Sequence, residues 1–312
     1  MDNITTYTST GMKIVHHPEV IELLKSRKAA PVSLQMAPTS KCNLNCEFCS
    51  NVNRNKVQNL DLKDVTDLIY ELRTIGLKTV EWTGGGDPTC WEELYAAVDY
   101  CDILEIEQGL ITNGLNLYKF SEYFFSNLMW VRISMNCLDY VDSIEIPEMP
   151  HTTLGFSYVI NSKTTDSIFE KIKKYVKAHG AKYVRIVPNC QTTKEQQEEN
   201  NRVIPHIVEK LGFPFFYQPK VFDAPNNCWW CYLKPFVLHD GYVYPCSSVV
   251  LNNDSERSFH LKYRWCHMSE LADRYLEEMS PFNSKCCTHC VFKPQNEIAE
   301  MIINPTGMED FI

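Results

Sequence analysis

The chain has 312 residues, 44% hydrophobic and 22% charged, with 12 Gly and 16 Pro; this balance excludes disorder, collagen-like repeats and low-complexity sequence. Thirty basic against 39 acidic residues leave a net charge of −9, which argues against strong, broad electrostatic binding of nucleic acid. No apolar run approaches the ~20 residues of a membrane span, and the polar stretch Met1–Met12 shows no signal-peptide pattern, so a cytoplasmic protein without membrane attachment is expected.

Short β-prone runs alternate with amphipathic helices from about residue 31 to 215. Val32–Met36 reads as the first strand. Leu62, Val65, Leu68, Ile69, Leu72 and Ile75 then recur at helical spacing, with Gly76 placed as a C-terminal cap. Thr79–Trp82 is the second strand and Cys90–Cys101 the second helix, striped by Trp91, Leu94, Ala97 and Val98. Ile106–Thr112, Val131–Met135 and Leu154–Ile160 give strands three to five. A helix over Thr165–Ala178 ends at Gly180, Tyr183–Val187 is the sixth strand, and the polar run Gln191–Arg202 opens a helix continuing to Leu211. The alternation predicts a parallel α/β sheet, doubly wound or closed part-way into a barrel. After Gly212, Pro214, Pro219, Pro225, Pro235 and Pro245 interrupt short segments. A boundary near 213–222 therefore separates an N-terminal extension (1–30) and an α/β domain (31–215) from a C-terminal domain (216–312).

The 14 cysteines are too sparse for a disulfide scaffold and too clustered for chance; without a secretory signal they read as metal or redox ligands. Cys42, Cys46 and Cys49 fall within eight residues directly after the first strand. Three thiolates leave one iron of a four-iron cluster without a protein ligand, an open position for a substrate or cofactor. Zinc with a distant fourth ligand is the alternative. Gly84, Gly85 and Gly86 precede Asp87 after the second strand, a turn whose backbone can approach a ligand closely and whose carboxylate can accept from an ammonium group. Asn113, Ser134, Asn136 and Asn189 give polar ends to later strands, the end at which barrel enzymes build their sites.

The spacing Cys42-x3-Cys46-x2-Cys49 with Phe48 before the third cysteine resembles the radical SAM superfamily over roughly residues 30–215. The resemblance implies a partial (β/α)6 TIM-type barrel and a [4Fe–4S] cluster whose fourth iron is chelated by S-adenosylmethionine (SAM). Reduction would split SAM into methionine and a 5′-deoxyadenosyl radical. By the same resemblance Phe48 and Gly84–Asp87 belong to the SAM site, Asp87 standing where the family usually has Glu. Asn113, Ser134 and Asn136 become candidates for the ribose or carboxylate, and Val187 for packing on adenine.

Downstream, Cys228-x2-Cys231 is followed by Gly241, Cys246, Cys286, Cys287 and Cys290. Lys234–Tyr244 reads as a β-hairpin turning at Asp240-Gly241. The two Cys-x2-Cys pairs fit zinc or iron–sulfur equally by spacing. Cys228-x12-Gly241-x4-Cys246 followed by Cys287-x2-Cys290 resembles the SPASM and twitch auxiliary-cluster domains of radical SAM enzymes. No cysteine follows Cys290, which favours the one-cluster twitch type, a hairpin plus helix. The resemblance assigns Cys228, Cys246, Cys287 and Cys290 to a second [4Fe–4S] cluster, with Cys231 and Cys286 as alternates; His289 is expected beside the cluster or at the surface.

The expected function is hydrogen abstraction from a C–H bond of a small polar molecule or nucleoside, an oxidation or rearrangement, assisted by the auxiliary cluster. Similarity to the twitch-bearing inosamine dehydrogenase supports the small-molecule option. A peptide maturase of thioether or formylglycine type is the alternative, and a zinc-stabilised binding module without catalysis is the reading from another class. An electron donor such as flavodoxin or ferredoxin is implied. Trp82, Trp229 and Trp230 are expected to pack more readily than to stack on a substrate.

Overall fold

The computed structural model describes residues 6–49, 51–52, 54–220, 227–250, 261–284, 287, 290 and 292–308. Its centre is a sheet whose first seven strands run parallel in chain order: β1 (Ser33–Met36), β2 (Thr79–Trp82), β3 (Glu107–Thr112), β4 (Trp130–Ser134), β5 (Thr153–Val159), β6 (Val184–Val187) and β7 (Phe215–Tyr217). Parallel neighbours need crossover connections. These include α1 (Leu62–Thr74), α2 (Leu94–Ile103), α3 (Glu122–Ser126), α4 (Asp166–His179) and α5 (Lys194–Leu211). The result is a partial barrel, one of the two architectures the alternation allows and the one the family resemblance implies.

Alternation along the strands sorts residues onto two faces. Leu34, Met36, Val80, Trp82, Leu110, Val131, Ile133, Phe156 and Ile186 are fully buried and pack with Val65, Leu68, Ile69, Leu72, Val98, Ile168 and Ile172 of the helices. Each large apolar side chain withdrawn from water in this way stabilises by ~1.5–3 kcal/mol. The opposite, concave face carries Gln35, Glu81, Gly109, Arg132, Gly155, Ser157 and Arg185, brought into neighbouring rows by the strand register.

Local chemistry sets the element ends. The Asp61 carboxylate accepts from Lys63 N and starts α1. Thr193 and Gln196 form a reciprocal capping box for α5, and Gly180, with φ of +66°, closes α4. The second helix begins later than its apolar stripe suggests. Pro88–Cys90 form a short 3-10 turn capped by Asp87, and Trp91 is extended, so the α-helix starts only at Leu94. The seventh strand is also an addition to the six read from sequence. Three residues after the Gly212 break are too short for a periodic signal, yet they pair with β6.

Beyond β7 come β8 (Asn227–Cys228), β9 (Phe236–Val237), β10 (Tyr242–Tyr244), β11 (Cys266–His267) and β12 (Phe282–Asn283). The expected hairpin is β9–β10. Gly241 adopts φ of +80° in its turn, and Asp240 Oδ1 accepts from Tyr242 N at 3.1 Å. β9 adds to the barrel sheet, parallel to β1, and β11 pairs antiparallel with β10; β8 and β12 form a separate two-stranded ribbon. A last helix, α6 (Lys293–Ile303), packs against the N-terminal helix Pro18–Lys25. Cys286 and His289, and part of the boundary near 213–222, lie outside the described residues. Among the described residues no helix is long and apolar enough to cross a membrane.

Candidate active site

The loop after β1 closes on itself before α1 begins. Ser40 N donates to Gln58 O at 2.9 Å, Gln58 N to Ser40 Oγ at 2.9 Å, and Leu60 N to Pro38 O at 2.8 Å. Cys42, Cys46 and Cys49 sit within this closed loop, all partly exposed. The glycine turn after β2 holds the loop from below: Gly86 N donates to Thr39 O and Asp87 N to Lys41 O, both at 2.8 Å. A Cβ on Gly86 would stand 1.9 Å from Lys41 O, so a side chain there would break the contact.

Donors surround the sulfurs. Leu44 N reaches Cys42 Sγ at 3.4 Å, and Asn113 Nδ2 reaches it at 3.7 Å while also donating to Asn43 Oδ1 at 2.7 Å. The buried Arg54 donates through Nη1 to Cys49 Sγ at 3.5 Å and to Asn51 O at 2.8 Å, and through Nε to Ser40 O at 2.9 Å. The Tyr140 hydroxyl accepts from Glu47 N at 3.1 Å and favours the thiolate of Cys46. Burial pushes the Cys46 thiol up to about 12, and the charges of Cys49 and Cys42 add to that rise. Cys42 is raised by burial and then by Asp87, with Cys49 contributing. Three thiolates so arranged repel one another unless a cation joins them, and thiolate sulfur is the ligand iron–sulfur clusters take. The donor set therefore fits a cluster. Among the described residues no three His, Cys, Asp or Glu groups converge closely enough to hold a single metal ion.

The other expected contacts divide. Asp87 is buried, and its carboxylate accepts from Thr89 N at 3.0 Å, Thr89 Oγ1 at 2.5 Å, Thr112 Oγ1 at 2.9 Å and Asn113 N at 2.6 Å. Four donors match the capacity of a carboxylate, so Asp87 is engaged by the protein itself and fixes the backbone of Asn113. Asn136 is likewise spent: it donates to Val159 O and Asp139 Oδ2 and accepts from Val159 N, tying the turn after β4 to the end of β5. Ser134 ends β4 half-buried, Phe48 is half-buried in the cysteine loop, and Val187 closes β6 opposite Val159. A Cβ on Gly84 would stand 2.2 Å from Gly86 O, and one on Gly85 would meet the ring of His239 from the C-terminal hairpin at 2.5 Å. Trp82, Trp229 and Trp230 are packing residues, as expected: Trp82 donates to Gln108 Oε1 at 2.9 Å, Trp229 bonds Glu300, and Trp230 stacks on Phe292 at 5.0 Å.

The second cysteine group is more deeply set. Cys228 and Cys231 are buried, and Cys246, Cys287 and Cys290 are partly exposed. Asn296 of α6 accepts from Trp229 N at 2.7 Å and Trp230 N at 3.0 Å, fixing the turn that carries the first pair. Burial raises Cys228 to about 12, with Cys290 and Cys287 adding to it. Cys231 is raised by burial, then by Cys228 and Cys246. Five thiols thus act on one another from segments spread over some sixty residues. Both Cys228 and Cys231 belong to the group.

Arg54, Tyr140, His239 and the Lys234–Glu81 pair carry no signal at fixed spacing in the sequence. Lys234, at the foot of the hairpin, bonds Glu81 on β2 and Ser9 Oγ at 2.9 Å, while Gln35 Nε2 donates to Glu81 Oε2 at 2.8 Å.

A profile of the radical SAM superfamily matches residues 36–141. The chain is 28% identical over 120 residues to a probable GTP 3′,8-cyclase of Pyrococcus abyssi, a stretch covering 38% of this chain and 39% of that protein. It is 24% identical over 244 residues to an uncharacterized protein of Methanocaldococcus jannaschii, covering 68% and 83%. In fold it is similar to Streptococcus suis SuiB bound to the precursor peptide SuiA, with a TM-score of 0.55 at 14% identity over 90% of this chain and 75% of that one. It is similar too to anSMEcpe with bound AdoMet and the Cp18Cys peptide, with a TM-score of 0.50 at 14% identity over 90% and 86%.

Proposed function

Residues 36–141 are a radical SAM domain, and from that premise we propose that the protein cleaves SAM reductively and abstracts hydrogen from a C–H bond of a small polar or nucleoside-type substrate. The observation that carries this reading is the group of three mutually interacting thiols, Cys42, Cys46 and Cys49, on a loop closed over the ends of β1 to β3. Cys42, Cys46 and Cys49 would hold a [4Fe–4S] cluster, which with SAM and one electron from a flavodoxin- or ferredoxin-type donor would supply the reductive cleavage of SAM.

The chain's own groups hold and shield that chemistry. Arg54 and the Asn113 amide direct N–H donors at Cys49 and Cys42 and hold those sulfurs in place. Gly84–Gly86 offer backbone to the SAM amino group, Ser134 and Val187 flank the sugar and base, and Asp87 serves by positioning Asn113 rather than by touching SAM. Phe48 screens the loop from solvent. Cys228, Cys246, Cys287 and Cys290, with Cys231 or Cys286 as alternates, hold an auxiliary cluster that accepts an electron or binds substrate. A peptide maturase is the second reading, since SuiB and anSMEcpe were solved with peptides.

The test is anaerobic. Reconstituted, dithionite-reduced protein given SAM should release 5′-deoxyadenosine and methionine, and a deuterated substrate should pass its label to 5′-deoxyadenosine. Full loading with iron and sulfide but no 5′-deoxyadenosine would overturn the reading. Zinc without acid-labile sulfide would favour a binding module.

A further inference from the structure

The concave face of the barrel holds two arginines that neither the cysteine loop nor the hairpin uses. Arg132 on β4 pairs in register with Gly155, and Arg185 on β6 pairs with Ser157, so the two guanidiniums project from strands on either side of β5. Between them β5 presents only Gly155 and Ser157, and the Tyr183 ring takes the place a side chain at Gly155 would fill. The floor is aromatic. Arg132 lies over the Trp130 ring at 5.5 Å, the Tyr183 ring covers Gly155, and Tyr7 stacks on Tyr183 at 4.3 Å.

Both Nε–H groups are buried without a hydrogen-bond acceptor, and Arg185 spends one Nη1 donor on Gln218 Oε1 at 3.0 Å. Burial and the like charge of Arg132 push Arg185 down to about 9, with partial relief from Tyr183 and Glu81. Glu81 is already engaged by Lys234 and Gln35. Lys220, lowered chiefly by burial, also feels the charge of Arg185, while Cys190 opposes the shift. A protein of net charge −9 thus keeps cations facing one another in its interior. Desolvating two guanidiniums side by side is costly unless an anion joins them.

We propose that this lumen binds an oxyanion, a carboxylate or phosphate group of the substrate, between Arg132 and Arg185. Calling the ligand a substrate rests on the function proposed above; the anion site itself does not. Arg132 and Arg185 each lie two residues below the strand ends at Ser134 and Val187, roughly 6–7 Å along a strand. The anion is therefore anchored beneath the strand-end surface, and the reacting C–H bond lies a few bonds from the charged group.

The reconstituted full chain is titrated anaerobically with inorganic phosphate and, separately, with acetate at constant ionic strength, and melting and calorimetric binding are followed. Wild type should show a saturable rise in melting temperature with at least one anion; phosphate alone identifies a phosphate-bearing ligand, acetate alone a carboxylate. R132Q/R185Q should bind that anion at least about tenfold more weakly, yet melt no lower than wild type without anion, because the mutual repulsion is gone. No saturable response in wild type, an undiminished response in R132Q/R185Q, or a lower melting temperature of that variant without anion would overturn the proposal. So would an equal loss of SAM affinity, which would assign the arginines to the SAM carboxylate. Failure of the radical SAM reading appears separately, as absence of 5′-deoxyadenosine with anion binding intact.

Discussion

The two cysteine groups are built on opposite principles. Cys42, Cys46 and Cys49 stand partly exposed on a loop held by polar tethers: Gly86 N, Asp87 N, the Arg54 guanidinium and the Asn113 amide. Cys228 and Cys231 are buried on a turn that also carries the buried Trp229 and Trp230, and Asn296 of the last helix pins that turn. An exposed sulfur set leaves room for a ligand and contributes little packing. A buried set is part of the core. Loss of the first group should therefore remove chemistry while sparing the fold, and loss of the second should damage the fold itself.

The largest effect tests that contrast directly. Replacing Cys42, Cys46 and Cys49 together by Ala should drop 5′-deoxyadenosine formation at least ~1,000-fold, the range of losing a reaction's essential machinery. Iron should fall by about half if the second cluster persists, with melting shifted by only a few degrees because no core is lost. Retained SAM cleavage in that variant breaks the comparison at its first term.

Next in size is the joint between the regions. Lys234→Met leaves the Glu81 carboxylate buried without its cation, which should cost ~3–5 kcal/mol in urea unfolding. The pH profile should also flatten. In the wild type Lys234 and Gln35 hold Glu81 below its ordinary value in spite of burial; its stabilisation is present above the ordinary carboxylate pKa and lost as pH falls through the folded value. In the variant only Gln35 and Arg132 are left to oppose burial, so the stability lost as pH falls through the carboxylate range should be smaller than in the wild type. Unfolding curves from about pH 4 to 7 compare the two slopes.

Asp87→Ala comes third. It strands Thr89 N–H and Asn113 N–H in a buried site, a loss of ~2–3 kcal/mol, and it should weaken SAM binding through the displaced Asn113. Asp87→Asn, which keeps an acceptor for one of them, should lose less of both. Unchanged SAM affinity in Asp87→Ala would separate the turn from the cofactor site.

The smallest effect sharpens the second group. If Cys231 is an alternate rather than a ligand, Cys231→Ala should cost ~1–2 kcal/mol of packing with iron content unchanged, whereas Cys228→Ala should lose iron and fold together. The reverse outcome exchanges their roles.

Much of the fold is legible in the sequence because its causes are local. The stripe Val65–Leu68–Ile69–Leu72 fixes a buried helix face, Gly180 closes α4, and Asp240-Gly241 turns the hairpin. α2 starts later than its apolar stripe because a carboxylate, Asp87, caps a 3-10 turn ahead of it, and β7 carries no sequence signal because three residues hold no period. At the site, the cysteine spacing was readable, but Asp87 and Asn136 carried polar side chains whose partners only the folded chain supplies.

The sequence by itself determined which thiols cluster along the chain, where glycine permits a close turn, and how strands and helices alternate, since these depend on neighbours a few positions away. Tertiary structure decided what those groups face. Glu81 meets Lys234 across 153 positions, Trp229 N finds Asn296 across 67, and Asn113 reaches Asn43 across 70. Arg132 and Arg185 come to flank Gly155 and Ser157 of β5 only because β4, β5 and β6 pair in that order and register. Burial then turns ordinary polar residues into fixed partners, because an unpaired charge or hydrogen-bonding group costs far more inside the protein than in water.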